Sequence, residues 1–64
     1  MGNLLTDSEA ADFLRLTTRQ VVTLAKRGEL PSVNLPDGEI RFDLDDLRAW
    51  VESLKKPATA RGGQ

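Results

Sequence analysis

Neither cysteine nor histidine occurs among the 64 residues of this chain. These absences exclude disulfide cross-links, zinc sites built from those two residue types, thiol nucleophiles and imidazole acid–base catalysis. An enzyme would have to work with aspartate, glutamate, lysine, serine and threonine, and no pair of these residues has a recognisable acid–base arrangement. We therefore expect a protein that is not an enzyme and that binds neither a metal nor a cofactor.

Long apolar runs are missing as well. No segment approaches the roughly 18 consecutive apolar residues of a membrane span, and no basic and then apolar leader precedes the first predicted helix. With 39% hydrophobic and 30% charged residues, the composition is typical of a globular protein. We expect a cytoplasmic chain with one small domain in residues 1–54, followed by a flexible basic tail in residues 55–64.

The formal net charge of −1 argues mildly against a nucleic-acid partner, but the charges are unevenly distributed along the chain. Residues 17–28 contain Arg19, Lys26 and Arg27 and no acid, whereas acids outnumber bases in the segments on either side. A local positive patch is sufficient for binding phosphate, whatever the total charge of the protein. The charge distribution is therefore compatible with a nucleic-acid partner.

Two capping signatures predict two consecutive helices. Thr6 with Glu9, and Thr17 with Gln20, both have the capping-box spacing in which each side chain satisfies an N–H group at the start of the helix. The first helix is predicted at 7–14, and its expected core-facing residues are Ala10, Phe13 and Leu14. The second is expected to bury Val21, Leu24 and Ala25, and to end at about Arg27, before Gly28. Because only about two residues separate the first helix from the cap of the second, they must form a tight helix-turn-helix corner.

The periodicity changes after the second helix. Val33 and Leu35 alternate with polar residues as on a strand, and Ile40 and Phe42 do the same on the return. The Pro-Asp-Gly sequence at 36–38 is typical of a turn, because proline fixes its own φ and glycine can adopt the left-handed conformation. This segment is predicted to form a β-hairpin, called the wing below.

Asp43 is the predicted cap of a third helix, whose apolar side chains recur at helical spacing: Leu47, Trp50, Val51 and Leu54. Asp43, Asp45 and Asp46 could instead suggest a metal site or a carboxylate catalyst. Acids are favoured at the cap and in the first turn of any helix, so we prefer the structural interpretation. The fold class is therefore mainly α with a small β-hairpin, in the order helix, turn, helix, wing, helix: a winged helix-turn-helix.

A single core is predicted from nine apolar side chains: Phe13, Leu14, Val21, Leu24, Ile40, Phe42, Leu47, Trp50 and Leu54. These assignments leave no apolar face for a dimer interface, and no helix is long enough for a coiled coil. We therefore expect a monomer in the absence of a binding partner.

The outward face of the second helix contains the candidate base-reading residues. In helix-turn-helix proteins this helix enters the major groove of DNA, with its N-terminal residues against the base edges. Arg19 can pair with guanine, and Thr18 and Thr23 can donate or accept hydrogen bonds or contact a thymine methyl group. Val22 is expected to be exposed without a role in the core, and contact with a thymine methyl group would explain it.

Three further basic residues are candidates for phosphate contacts. Lys26 and Arg27 lie at the far end of the second helix, although cations there could simply complement the helix dipole. Arg41 lies between two core-facing residues of the wing, so it should point outward, either toward DNA or toward Glu39 or Asp43. The basic residues of the tail, Lys55, Lys56 and Arg61, could be a solvated end or an arm that follows DNA.

Several landmarks occur in order along the chain: Leu4-Leu5-Thr6, Glu9-Ala10-Ala11, Thr17 to Leu24, Gly28-Glu29-Leu30-Pro31, Arg41, Asp46-Leu47 and Trp50. This series resembles the excisionase-type helix-turn-helix domains, which are related to the DNA-binding domain of MerR-like regulators. The resemblance covers about residues 4–54. It implies that the second helix reads the major groove and that the wing touches the adjacent backbone or minor groove.

The resemblance also implies a biological role. Excisionase-type proteins are encoded by phages and integrative elements, where they act as recombination directionality factors. They bind repeated sites, bend DNA and help an integrase to excise the element. Similar domains serve as small transcriptional regulators or as the DNA-binding part of phage packaging subunits, and a protein-interaction module is a further alternative. Val22 and Thr23 stand where relatives often have basic or aromatic residues, and the wing tip is acidic. Both departures favour cooperative assembly of several copies on repeated sites.

Overall fold

The computed structural model describes residues 4–57. Its elements, in chain order, are β1 (Leu4–Leu5), α1 (Asp7–Leu14), α2 (Thr18–Lys26), β2 (Val33–Asn34), β3 (Ile40–Asp43) and α3 (Leu44–Leu54). Three helices and a small antiparallel sheet form a winged helix-turn-helix, which confirms the predicted fold class. Among the described residues, no helix is long and apolar enough to cross a membrane.

Both predicted capping boxes are present at the starts of α1 and α2. The Thr6 hydroxyl accepts from the Glu9 N–H at 3.1 Å, and the Thr6 N–H donates to Glu9 Oε1 at 2.9 Å. Thr17 and Gln20 repeat the same pair of bonds at the same distances. Each box satisfies backbone donors that no helical bond can reach, so the sequence signature fixes where each helix begins.

The two helices also end in the same way. At the end of α2, Gly28 has a φ of +73°, and its N–H donates to the Ala25 carbonyl at 3.0 Å. The N–H of the next residue, Glu29, donates to the Leu24 carbonyl at 2.9 Å. This pair of bonds is a Schellman motif, as the glycine predicted. At the end of α1, Arg15 has a φ of +60° and occupies the equivalent left-handed position without being glycine.

The sheet has three strands in the order β1-β3-β2, with both pairings antiparallel. In the loop of the wing, the Gly38 N–H donates to the Leu35 carbonyl at 3.0 Å, and the Leu35 N–H donates to Glu39 at 2.8 Å. Gly38 has a φ of +92°, as a three-residue hairpin loop requires at that position. Strand β1 was not predicted, because two residues show no periodicity and their partners lie on β3, far along the chain.

Within residues 4–57 the core consists of six buried residues: Ala10, Ala11, Val21, Leu30, Phe42 and Leu47. The half-buried residues packed against them are Leu5, Leu14, Leu16, Leu24, Ala25, Ile40 and Trp50. The predicted core is wrong at two positions, because Phe13 is 41% exposed and Leu54 is 58% exposed. Ala10 and Ala11 form the side of α1 that faces the core, so Phe13 lies on the flank of this helix. Leu54 lies about 10 Å along the helix axis from the buried Leu47, at a rise of about 1.5 Å per residue, which takes it past the core.

Candidate nucleic-acid interface

One face of α2 is free of core contacts. Val21 is fully buried and Leu24 and Ala25 pack against the core, so the opposite side of the helix points to solvent. Five of the six predicted DNA-contacting residues of this segment are exposed: Thr18, Arg19, Thr23, Lys26 and Arg27. Val22 differs from the prediction, because it is half-buried rather than exposed, although it lies outside the core cluster.

Arg19 is the second residue of α2 and is exposed. It forms no ion pair with any of residues 4–57. A cation at this end of a helix lies beside the positive end of the helix dipole, which is slightly unfavourable. The helix therefore gains nothing from Arg19, and its guanidinium is available to an external acceptor.

A shallow open depression of about 350 Å³ follows one side of α2. It is lined by Leu16, Arg19, Gln20, Thr23, Leu24 and Arg27. Three of these residues are predicted DNA contacts, whereas the two leucines and the glutamine were not assigned to the site from the sequence. Gln20 is committed to the capping box through its carbonyl oxygen. The depression therefore places arginines beside an apolar surface.

At the C-terminal end of α2, the two predicted phosphate contacts differ in their surroundings. Lys26 is exposed and forms no ion pair within the described part of the chain. Arg27 Nη2 lies 3.1 Å from Glu29 Oε2, so this guanidinium already has a carboxylate partner. The sequence did not predict this ion pair, although Glu29 follows Arg27 by only two residues.

Arg41 lies on the outer face of the wing. Phe42, its neighbour on β3, is fully buried, so Arg41 points away from the core, and it is paired in register with Val33 of the adjacent strand β2. Its Nη1 lies 3.3 Å from Glu39 Oε1 and donates to the Ile40 carbonyl at 2.8 Å. Of the two carboxylate partners left open by the sequence, the structure has Glu39. The proposed contact of Arg41 with DNA stays a prediction.

Asp43 has the predicted structural role. Its Oδ1 accepts from the N–H groups of Asp45 at 2.8 Å and Asp46 at 3.3 Å, which caps α3. Among residues 4–57, no group of three or more acids could hold a metal ion. Asp43 thus satisfies N–H groups at the start of α3, and Asp45 and Asp46 lie in the first turn, where acids are favoured by the helix dipole.

Trp50 connects α3 to the segment that follows α2. Its side chain packs against the core, as predicted, and its Nε1–H donates to the Glu29 carbonyl at 2.8 Å. This bond was not predicted, because nothing in the local sequence indicates that residues 29 and 50 are neighbours. It anchors the chain just past the C-terminal end of α2 and so helps to position the predicted DNA-contacting helix.

Of the basic residues in the tail, the structure describes Lys55 and Lys56. Lys55 Nζ lies 2.8 Å from Glu52 Oε2, and Lys56 is exposed. Arg61 lies outside the described residues. The predicted contact of the tail with DNA therefore stays a prediction.

A family model described as a helix-turn-helix domain matches residues 4–55. This range contains all the helices and strands given above and every residue predicted to contact DNA from α2 and the wing. No curated protein matches the sequence.

Proposed function

The chain belongs to the helix-turn-helix domain family, which indicates sequence-specific binding of double-stranded DNA, and from this premise we propose how it binds. Helix α2 lies in the major groove, where Thr18, Arg19 and Thr23 read base edges and Val22 contacts a thymine methyl group. The phosphate contacts come from Lys26, Arg27 and Arg41. The protein acts as a binding factor and not as an enzyme.

The observation that carries this proposal is the exposed Arg19 at the start of α2, which forms no ion pair with any of residues 4–57. Its position matches the part of a recognition helix that meets base edges, and the helix itself does not benefit from a cation there. Bidentate pairing of an arginine with guanine is worth about 1–3 kcal/mol of discrimination against the wrong base.

The test is Arg19→Ala, measured by fluorescence anisotropy against a duplex selected from a random pool and against an unrelated duplex. We expect the selected duplex to lose about 1–3 kcal/mol of binding free energy and to relax its preference at one base position. Arg48→Ala, which removes an exposed arginine from α3, is the matched control and should leave the preference intact. Equal losses on both duplexes would assign Arg19 to phosphate instead.

We also propose an excisionase-type role, since the family includes excisionase-like DNA-binding domains. In this role several copies occupy repeated sites, bend the DNA and assist an integrase. With about three phosphate contacts per copy, from Lys26, Arg27 and Arg41, and a salt slope of about 0.9 for each, one copy binds weakly at physiological salt. Neighbouring copies can gain from contacts between the acidic start of α3 and the basic tail.

This role is tested by two measurements. Sedimentation should show a monomer without DNA, and gel shifts on a repeated site should show ladders with a steep dependence on protein concentration. A stable dimer in free solution, or tight one-to-one binding to a single half-site, would contradict cooperative assembly. If DNA binding is specific but an integrase is not stimulated, the transcriptional regulator becomes the better assignment. Binding to a protein partner with little dependence on salt would favour an interaction module.

A further inference from the structure

Two of the predicted DNA-contacting arginines form ion pairs with glutamates two residues away. Arg27 Nη2 lies 3.1 Å from Glu29 Oε2, and Arg41 Nη1 lies 3.3 Å from Glu39 Oε1. Arg19, by contrast, has no ion pair within residues 4–57, and the same holds for Lys26. The predicted contact surface thus combines two paired arginines, Arg27 and Arg41, with two basic residues that have no ion pair within residues 4–57.

The backbone of Glu29 is fixed from two sides. Its N–H donates to the Leu24 carbonyl at 2.9 Å, which completes the cap of α2, and its carbonyl accepts from Trp50 Nε1 at 2.8 Å. The carboxylate is therefore presented from an anchored position just past the end of α2. Arg27, the last capping residue of the same helix, lies directly beside it.

Glu39 is anchored in a comparable way within the wing. Its N–H donates to Asp37 Oδ1 at 3.0 Å, and its carbonyl accepts from the Leu35 N–H at 2.8 Å. The guanidinium of Arg41 is held twice, by the Glu39 carboxylate and by the Ile40 carbonyl, and the side chain is only 29% exposed. A phosphate that approaches Arg41 must therefore share this guanidinium with the Glu39 carboxylate.

We propose that Glu29 and Glu39 are affinity-determining residues that compete with DNA phosphates for Arg27 and Arg41. The inference rests on the proposed function, since it requires both arginines to contact DNA. Phosphate contacts add affinity without sequence information. Two carboxylates that weaken those contacts leave a larger share of the binding energy to the base-reading residues at the start of α2. Exposed ion pairs are weak, so each carboxylate reduces affinity by a modest factor.

The test compares Glu29→Gln and Glu39→Gln with the natural sequence at one fixed salt concentration, because affinities at different salt concentrations cannot be compared. Glutamine keeps the size of the side chain and removes its charge. We expect each variant to bind both a selected and an unrelated duplex about two- to five-fold more tightly, the range expected for one exposed ion pair. The ratio of the two affinities should not rise.

Asp12→Asn is the matched control. Asp12 is exposed on α1, which carries none of the predicted DNA contacts, and it forms no ion pair within residues 4–57. This variant changes the net charge by the same amount and should leave DNA affinity unchanged. A gain equal to that of Glu29→Gln would show that only the overall charge matters and would overturn the inference.

A double-mutant cycle tests the pairing itself. In an Arg27→Ala background, Glu29→Gln should give no further gain, because the cation it releases is gone. The same gain in both backgrounds would overturn competition for Arg27. Melting curves followed by circular dichroism check that each variant is folded. If the natural protein bound no duplex at all, the proposed function would fail, whereas binding that is unaffected by either glutamate would overturn this inference alone.

Discussion

Helices α1 and α2 share the same capping geometry, but their exposed side chains are opposite in charge. Each begins with a threonine in a capping box and each ends with a residue in the left-handed conformation. The exposed side of α1 contains Glu9, Asp12 and Phe13, whereas that of α2 contains Arg19 and Lys26, and the helix is followed by the exposed Arg27. The ends define the helix-turn-helix corner, and the outward residues decide which of its helices can bind a polyanion.

The left-handed position at the C-terminal end is occupied by a different type of residue in each helix. The end of α2 has the conformationally free Gly28 and a bond from Trp50 to the next residue. At the end of α1, Arg15 has a left-handed backbone conformation, which residues other than glycine rarely adopt. The helix predicted to contact DNA is therefore held by an unstrained cap and by a bond from another element. The contrast gives three predictions about stability.

The largest effect is expected for Trp50→Ala, which removes the link between α3 and the end of α2. We expect a loss of about 3 kcal/mol, at the lower end for a large aromatic residue because Trp50 is half-buried. At roughly 0.05–0.15 kcal/mol per residue, that is a large share of the stability of so small a domain. Urea denaturation followed by circular dichroism measures it, since the variant lacks the fluorophore.

Trp50→Phe serves as the control for this prediction. It keeps most of the packing and removes only the hydrogen bond to the Glu29 carbonyl, so the loss should be about 1 kcal/mol. If both variants unfolded at the natural midpoint, Trp50 would not hold α3 against the end of α2.

Most of the fold could be predicted because its signals are local. The caps at Thr6 and Thr17 and the stop at Gly28 act through bonds to residues within five positions, and the structure confirms all three. Phe13 was misplaced because helical spacing gives a face but not its angle to the core. Two adjacent alanines turned out to form the centre of that face.

The parts that could not be predicted depend on contacts between distant residues. Strand β1 exists through its pairing with β3, and the bond from Trp50 joins α3 to the turn after α2. The exposure of the polar and basic residues of α2 followed from the pattern, whereas the half-burial of Val22 and the pairing of Arg27 with Glu29 did not. Whether an exposed arginine turns toward a glutamate depends on side-chain geometry that no periodicity records.

An intermediate effect is expected for Gly28→Ala. A Cβ at this position meets no atom within 4 Å, so the cost is conformational rather than steric. Holding alanine in the left-handed region costs about 1–2 kcal/mol, and we expect unfolding to become easier by that amount in urea titrations. Gly38→Ala, at a left-handed position with equal free space in the wing, should behave similarly. No change in either variant would mean that the backbone relaxes away from these conformations.

The smallest effect, and one of opposite sign, is expected for Arg15→Gly. Relief of the left-handed strain contributes about 1–2 kcal/mol. The added freedom of glycine in the unfolded chain takes back about 0.4–1 kcal/mol. The net result is a gain of up to about 1.6 kcal/mol, centred on about 0.8 kcal/mol, visible as a higher denaturation midpoint with an unchanged slope. Arg15→Ala is the control, because it removes the charge but keeps the strain, and it should give no such gain. If alanine stabilised the protein as much as glycine, the cost at the end of α1 would come from the charge of Arg15. The two helix ends would then not differ in strain at all.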